Sequence, residues 1–271
     1  MKSLQPKMQV THKPYSILKR LRLYAKFLVE AKSWRSIHSP FMFDFAKYVK
    51  TSKVDAKKFD HIEQKRRKLF KDQRVITFKD YGASGIDRTR TVAEIAKTSA
   101  KARKQCETLA KMVTYLKPSI GLELGTSLGI SYAYMVSASP NTTFTTIEGA
   151  KEIAEIASAN LSELGFFGNI RVGTFDKHLP SILKELGEVD YVFVDGNHQE
   201  TRTMDYFNQI VSHLSPNGCI IFDDIYWSQG MTNAWNQIKT DDRVSLSLDC
   251  FHFGVVFIRE GVDKQHFTVA L

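Results

Sequence analysis

The apolar positions in the second half of the chain fall into short runs separated by helical stretches. From Ser119 onward, runs rich in β-branched and aromatic residues alternate with segments such as KEIAEIASANLSEL, whose apolar residues recur every three or four positions. Strands that alternate with helices form right-handed crossovers and a mostly parallel sheet. The pattern predicts a doubly wound, Rossmann-like α/β domain with strands at IGLEL, TFTTIE, NIRVGTF, VDYVFVD and GCIIFDD.

The last strands follow a different rule. After the helix-like MTNAWNQIK, the runs RVSLSLD and FHFGVVFIR lie close together with no room for a crossover helix. Strands this close along the chain pair as antiparallel neighbours. We therefore expect an antiparallel pair at one edge of the sheet.

The first half of the chain follows a helical pattern. From Pro14, apolar residues recur at spacings of three and four with Lys and Arg between them, which is typical of an amphipathic helix. These apolar residues are Tyr15, Ile17, Leu18, Leu21, Tyr24, Phe27 and Leu28.

Two further helix starts carry local signals. Ser39 before Pro40 is an N-cap followed by proline at the first helical position, and TVAE from Thr91 has capping-box spacing. We expect the helix from Thr91 to lead towards residue 115, after the break at YGASGID. The charged segment DHIEQKRRKLFKDQR predicts a solvated helical face, with a polyanion-binding patch as the alternative.

Composition indicates a globular protein in a reducing compartment. The chain has 271 residues, 43% of them hydrophobic, enough for one large core or a core with a smaller appendage. Cys106, Cys219 and Cys250 give neither a disulfide framework nor metal-ligand spacing, so we expect reduced packing residues and a cytoplasmic protein. We find no secretion signal, and no run approaches the roughly 18 apolar residues of a membrane span.

Charge divides the chain into two regions. Residues 1–110 contain 27 Lys and Arg residues against 10 Asp and Glu residues, a net charge of +17, and residues 111–271 have a net charge of −8. The division predicts a basic helical region over residues 1–115 that covers the functional site, and an α/β domain over residues 116–271.

The segment LELGTSLGIS follows the first predicted strand. A dinucleotide fingerprint requires Gly at its first, third and sixth positions. Counting from Gly125, the third position is Ser127 and the sixth is Ile130, so the segment disfavours NAD. The acid-x-Gly-x-x-x-Gly spacing of Glu123, Gly125 and Gly129 suits a ligand without phosphate. The glycines let the backbone approach such a ligand closely. The carboxylate can bind a cationic group, such as the sulfonium or amino group of S-adenosylmethionine (SAM).

A second acid follows the next strand. Glu148 in TTIEGA comes about 20 residues after the glycines, where an acid can accept the hydroxyls of a ribose. Alternatively, the glycines serve only tight packing and Glu148 belongs to the acidic first turn of the next helix. The two motifs together favour the nucleoside interpretation.

The segments GLELGTSLGIS, TTIEG, VDYVFVDGNHQE and GCIIFDDIYWS, in this order and spacing, resemble the class I SAM-dependent methyltransferases. Among these the chain is similar to metal-dependent small-molecule O-methyltransferases of the catechol and macrolide-sugar types. IHSPFMFDF and YGASG resemble the front half of an uncharacterised bacterial branch.

The resemblance implies that residues 116–271 bind SAM, with Glu123, Gly125 and Gly129 at the methionine end, Glu148 at the ribose, and Thr174 and Phe175 beside the adenine. The full cofactor set that it implies is Glu123, Gly125, Thr126, Ser127, Gly129, Glu148, Gly149, Thr174, Phe175 and Asp195.

Acidic residues end the fourth and fifth predicted strands. Asp195, Asp223 and Asp224 share one edge of the sheet, where three carboxylates repel one another unless they are protonated or neutralised. We expect a hard divalent cation to neutralise them, because all the ligands are oxygen atoms, and Mg²⁺ is the first candidate. Such an ion would hold a substrate hydroxyl, and His198 would take its proton, so Asp195 and His198 are the predicted catalytic residues.

Each of these assignments has a structural alternative. Asp195 with Gly196 can form only a turn, His198 or Asn197 can cap the next helix, and the acidic pair can lie in a solvated loop. Trp227 can line an aromatic substrate or simply pack.

Three functions follow from these features. The first is metal-assisted O-methylation of a small hydroxylated molecule. The second is methylation of nucleic acid such as RNA, gripped by the basic region, although DGNH replaces the Asp/Asn-Pro-Pro-aromatic segment of enzymes that methylate nucleobase amino groups. The third is a non-catalytic SAM-binding protein, or one whose first helix docks on an anionic membrane or a partner. Whether the chain forms a homo-oligomer is left open.

Overall fold

The computed structural model describes residues 13–81 and 86–271, which form a mixed α/β fold. Within these ranges the chain forms ten α-helices and ten β-strands. The helices are α1 (Ile17–Glu30), α2 (Pro40–Thr51), α3 (Asp60–Leu69), α4 (Val92–Ser99), α5 (Arg103–Leu116), α6 (Ile130–Ala138), α7 (Lys151–Glu163), α8 (Phe175–Leu186), α9 (Glu200–Val211) and α10 (Gln229–Thr240). The strands are β1 (Val75–Lys79), β2 (Asp87–Thr91), β3 (Ile120–Leu124), β4 (Thr143–Glu148), β5 (Asn169–Val172), β6 (Val189–Val194), β7 (Leu214–Asp223), β8 (Leu246–Asp249), β9 (Phe253–Phe257) and β10 (Gln265–Thr268).

The central sheet has the strand order β10-β8-β9-β7-β6-β3-β4-β5 among the described residues. Strands β5, β4, β3, β6 and β7 are parallel neighbours, and β9 pairs antiparallel with both β7 and β8. The predicted fold class, a mostly parallel doubly wound sheet with an antiparallel pair, is therefore confirmed. Strand β10 was not predicted; it pairs parallel with β8 and is the outermost strand on that side. Its four residues are not fully buried, so no apolar run marks it.

The direction of the chain reverses beside β3. The chain runs outward from β3 through β4 to β5 and then returns to place β6 on the other side of β3. In doubly wound sheets ligands bind at the C-terminal strand ends at this switch point. The predicted site residues at the ends of β3, β4, β6 and β7 consequently lie along one edge of the sheet.

The core has two parts, and alternate residues of the central strands belong to different parts. Tyr191 and Phe193 of β6 belong to a cluster that also contains Met42 and Phe45 of α2. Val192 and Val194 belong to a second cluster with apolar residues of α8, α9 and α10. The basic N-terminal region therefore shares its hydrophobic core with the sheet. Cys106, Cys219 and Cys250 are buried and unpaired, as predicted.

The predicted N-terminal helices are present, with one correction. Helix α1 and the Ser39–Pro40 start of α2 agree with the sequence pattern. Thr91 caps α4: its hydroxyl accepts from the Glu94 amide at 3.1 Å, and the Glu94 carboxylate accepts from the Thr91 amide at 2.8 Å. The helix predicted to lead towards residue 115 is two helices, because α4 ends at Ser99 and α5 begins at Arg103.

The all-helical interpretation of residues 1–115 was wrong. Strands β1 and β2 form an antiparallel hairpin in which Val75 pairs with Thr91 and Lys79 with Asp87. The predicted break at YGASGID falls between these strands, and residues 82–85 of it lie outside the described residues.

Helix α3 carries a buried ion pair rather than only a solvated charged face. Glu63 and Arg66 are buried and form a salt bridge at 3.0 Å. The Tyr134 hydroxyl of α6 donates to the same Glu63 oxygen at 2.7 Å, and Arg66 also contacts the sulfur of Cys106 at 3.3 Å. Removing one partner of a buried pair leaves the other charge uncompensated, which is strongly destabilising.

We predict that Arg66→Met lowers the free energy of unfolding by about 3–5 kcal/mol, because Glu63 stays buried without its counter-charge. Arg67→Met is the matched control, since Arg67 is the exposed neighbour on the same helix. Urea unfolding measures both variants. A loss for Arg66→Met no larger than that for Arg67→Met would show that the pair does not stabilise the fold.

Candidate functional site

A cleft of about 630 Å³ lies at the C-terminal ends of the central strands. Its size is typical of sites for small ligands and cofactors, which span about 300–1,000 Å³. Most of the cofactor residues predicted from the sequence line its wall, namely Gly125, Ser127, Glu148, Gly149, Thr174, Phe175 and Asp195. Glu123, Thr126 and Gly129 are not part of that lining.

The loop after β3 requires glycine at Gly125. Its φ of +106° is one that residues with a side chain rarely adopt, and a Cβ atom there would lie 2.0 Å from the carbonyl oxygen of Asp195. The absence of a side chain lets the ends of β3 and β6 approach each other beside the cleft. Gly129, with a φ of +82°, is the N-cap of α6.

Glu123 supports this loop from within the core. Its carboxyl group is fully buried and accepts hydrogen bonds from the hydroxyls of Ser131 at 2.6 Å and Thr146 at 2.8 Å. Burial raises the pKa of Glu123 to about 8, so the group is mainly protonated at neutral pH. Thr126, also buried, contacts the Thr146 hydroxyl at 2.7 Å.

Glu148 at the end of β4 is held by backbone amides. One carboxylate oxygen accepts from the Ser127 amide at 2.8 Å and the other from the Ala150 amide at 3.0 Å. Burial raises the pKa of this carboxyl group. The two bonds fix the carboxylate at the cleft wall and leave further lone pairs for hydroxyl donors.

Thr174 and Phe175 line the cleft at the start of α8. The Phe175 ring packs across Gly196, where an added Cβ would lie 2.6 Å from the ring, and meets the Tyr206 ring edge-on at 5.5 Å. Thr174 is the N-cap of α8, and its hydroxyl accepts no hydrogen bond from the amides of the helix. These two residues add an aromatic and a hydroxyl side chain to the cleft wall.

Lys101 joins the acidic ends of β6 and β7. Its ammonium group lies 2.9 Å from Asp195, and it also donates to Asp223. Lys101 and Asp195 are largely buried, and Asp223 is 1% exposed. The second oxygen of Asp223, Oδ1, is buried with no hydrogen-bond partner in residues 13–81 and 86–271.

Lys101 lies in the break between α4 and α5, and the break is anchored from α3. Arg66 donates a hydrogen bond to the carbonyl oxygen of Lys101. Burial alone would lower the pKa of Lys101, but the charges of Asp195, Asp223 and Asp224 raise it above its ordinary value. The neighbouring carboxylates thus favour the charged form of this side chain at the cleft wall.

His198 and Asp224 lie beside this cluster. His198 Nε2 is 3.8 Å from Asp195, longer than a hydrogen bond, and the His198 ring lies 5.6 Å from the Trp227 ring. His198 is not the cap of the next helix, because Gln199 is the N-cap of α9. Asp224 lines the cleft with a φ of +53°, and its amide donates to the carbonyl oxygen of His252 at 2.9 Å.

The residues fit a divalent ion only in part. Asp195, His198 and Asp223 each offer a ligand atom, and these atoms lie within 4.8 Å of one another, whereas Asp224 is outside this set. However, the Lys101 ammonium contacts both Asp195 and Asp223, so a divalent ion would compete with it for these carboxylates. The repulsion that motivated the metal prediction is thus already offset by a side chain.

Sequence reasoning did not identify several residues that line the cleft. Lys101 and Ser99 come from the end of α4 and the break after it, and Asp80 and Tyr81 from the segment after β1. The Tyr81 ring lies against Gly149, within 3.0 Å of where a Cβ would be. Only the general prediction that the N-terminal region covers the site pointed to them.

The chain matches the protein family described as "Methyltransferase domain" over residues 122–225. No curated protein matches the chain by sequence at a significant level. Among solved structures, the chain is similar to the SAH-bound methyltransferase PaMTH1 of Podospora anserina, with 15% identity, a TM-score of 0.57, and coverage of 96% of this chain and 100% of that one.

Two O-methyltransferases have the same fold. The Bacillus cereus O-methyltransferase in complex with SAH is 18% identical with a TM-score of 0.55, covering 80% of this chain and 96% of that one. TomG of Streptomyces achromogenes, involved in tomaymycin synthesis and solved with SAM, is 18% identical with a TM-score of 0.52, covering 80% and 95%.

The matched domain spans β3 to the end of β7 and therefore contains the glycine loop, Glu148 and the acidic strand ends that surround the cleft. The sheet around it is similar to those of the two SAH-bound structures. The chain accordingly contains a methyltransferase domain over residues 122–225, in a fold like that of O-methyltransferases.

Proposed function

We propose that this protein transfers the methyl group of SAM to a hydroxyl group of a small molecule. The observation that carries the proposal is the cluster of Lys101, Asp195 and His198 in the wall of the cleft, beside the glycine loop. It brings a cation, a carboxylate and an imidazole to one place. Two of the solved structures with this fold are described as O-methyltransferases, which supports the same acceptor chemistry.

The residues around the glycine loop suit SAM on this proposal. Gly125 lets the ends of β3 and β6 meet at the cleft wall, and Glu148 offers its carboxylate to the ribose hydroxyls. Thr174 and Phe175 border the adenine, and the cleft has the volume that such a ligand needs.

Methyl transfer needs a deprotonated oxygen nucleophile in line with the bond between the methyl carbon and the sulfur. SAM supplies a methyl carbon on a positively charged sulfur; the oxygen–carbon bond forms as the carbon–sulfur bond breaks. On this proposal His198 takes the hydroxyl proton, since its side chain is 24% exposed and lies at the cleft wall. Asp195 and Lys101 orient the hydroxyl, one as acceptor and the other as donor.

We assign to Lys101 the role that the sequence suggested for a divalent metal. A fixed ammonium group in a largely buried site stabilises negative charge on the reacting oxygen without reorganisation during the reaction. It also keeps Asp195 and Asp223 together at the strand ends. The divalent ion stays a prediction, and the response of methyl transfer to a chelator separates the ion from Lys101.

We expect methyl transfer from labelled SAM to members of a panel of hydroxylated small molecules, and a drop in kcat of about a hundredfold or more in His198→Ala. His61→Ala is the control, because His61 is an exposed histidine on α3. Label transferred to RNA and to no small molecule would contradict the proposal. An unchanged kcat in His198→Ala would contradict the assignment of His198 as the base.

We predict that Gly125→Ala weakens SAM binding at least about tenfold, because the added Cβ displaces the backbone at Asp195. Gly165→Ala is the matched control: its φ is also positive, at +79°, but nothing lies within 4 Å of the added atom. Calorimetry with SAM compares the two variants, and equal affinities would show that the close approach does not shape the cofactor site.

We expect methyl transfer by the wild-type protein to survive treatment with a chelator and to be lost in Lys101→Met, which keeps the chain length but removes the cation. Lys104→Met, an exposed lysine on α5, should keep its activity. Activity that the chelator abolishes and Mg²⁺ restores would instead favour the metal.

A further inference from the structure

Helix α1 presents an apolar face to solvent. Because an α-helix has 3.6 residues per turn, one side of α1 is formed by residues three and four positions apart. The residues on this side are strongly exposed: Ile17 80%, Leu18 59%, Leu21 59%, Leu28 48% and Val29 87%. Singly exposed apolar residues are ordinary, but five on one helix face mark an interaction surface.

The opposite side of α1 holds the helix firmly on the protein. Phe27 is 4% exposed and its ring lies 5.4 Å from the Phe251 ring, which Tyr24 also meets edge-on at 4.8 Å. Just before the helix, the Tyr15 amide donates to the Trp227 carbonyl at 2.8 Å. The apolar face is thus the outer surface of a packed helix, and nothing in residues 13–81 and 86–271 covers it.

Basic residues border this face. Arg22 and Lys26 follow it along one side, with Lys19 behind them, and Arg20 lies on the other side. The acid of the helix, Glu30, is paired with Lys26 at 3.6 Å. An apolar face between basic borders is the arrangement of helices that lie in the interface of anionic membranes, with apolar side chains at the acyl boundary and cations at the phosphates.

We propose that α1 docks this protein on the surface of a membrane that contains anionic phospholipid. A second copy fits the face less well, because two α1 faces brought together would set their basic borders against each other. None of the helices in the described part of the chain has the length and apolarity to cross a membrane. The proposal does not depend on the methyl acceptor.

The docking surface lies next to the rim of the cleft. Tyr15 binds the loop that follows β7, and Asp224 at the start of this loop lines the cleft. Docking through α1 would therefore hold the rim of the cleft near the lipid surface.

The test is co-sedimentation of the full chain with vesicles of phosphatidylcholine alone and of phosphatidylcholine mixed with phosphatidylglycerol. We expect binding to the mixed vesicles that weakens with added salt, and little binding to phosphatidylcholine alone. The double variant Leu21→Glu/Leu28→Glu should bind at least about tenfold more weakly, since it places charge on the apolar face. Arg22→Gln/Lys26→Gln should also bind more weakly while losing most of its salt dependence.

Phe167→Glu is the matched control, because Phe167 is 99% exposed and far from α1 in the sequence. This variant should bind vesicles like the wild type. SAM binding and thermal unfolding should be unchanged in all of these variants, which checks that each one folds. Wild-type protein that does not bind anionic vesicles would overturn the proposal, as would Leu21→Glu/Leu28→Glu that binds undiminished. Sedimentation velocity that shows wild-type dimers and a monomeric double variant would assign the face to a second copy instead.

Discussion

The contact of Lys101 with Asp195 and Asp223 is the interaction on which the site depends. Parallel strands β6 and β7 bring their acidic ends together, and without a cation the two carboxylates would repel each other in a nearly dry site. The cation comes from the break between α4 and α5, which Arg66 of α3 binds through the carbonyl of Lys101. The N-terminal region is therefore part of the site and not only a cover over it.

The same region closes the cleft from a second direction. Tyr81 packs on Gly149, and the Ser99 hydroxyl meets that of Ser127 in the glycine loop at 2.7 Å. Some of the basic residues of the N-terminal region form salt bridges within the fold. Arg66 pairs with buried Glu63, and Lys65 pairs with Glu163 at 2.6 Å. A high net charge in this half of the chain is thus weaker support for nucleic-acid binding than it appeared from composition.

The sequence predicted the centre of the sheet well because β3, β6 and the end of β7 are apolar and buried on both faces, whereas β10 is not. The glycine loop and the acidic strand ends followed from it, since parallel strands end at one edge. The break at Lys101 had no local signal: Ala100, Lys101 and Ala102 all favour helix, and the contacts with Arg66, Asp195 and Asp223 come from distant segments. The hairpin of β1 and β2 was missed because β2 is polar and has no buried residue. Strand β1 contains Val75, Ile76 and Phe78, but it is only five residues long and directly follows the charged helical segment.

The central claim is that Lys101 supplies the cation between Asp195 and Asp223. The most direct measurement is Mn²⁺ binding in the presence of SAM. The electron paramagnetic resonance signal of the free ion reports how much Mn²⁺ stays unbound. We expect the wild-type protein to leave Mn²⁺ free and Lys101→Met to take up one ion per chain, because the vacated carboxylates and His198 then have room for it. Uptake of one ion by the wild-type protein, with Asp223→Asn abolishing it, would contradict the claim and assign the position to a metal.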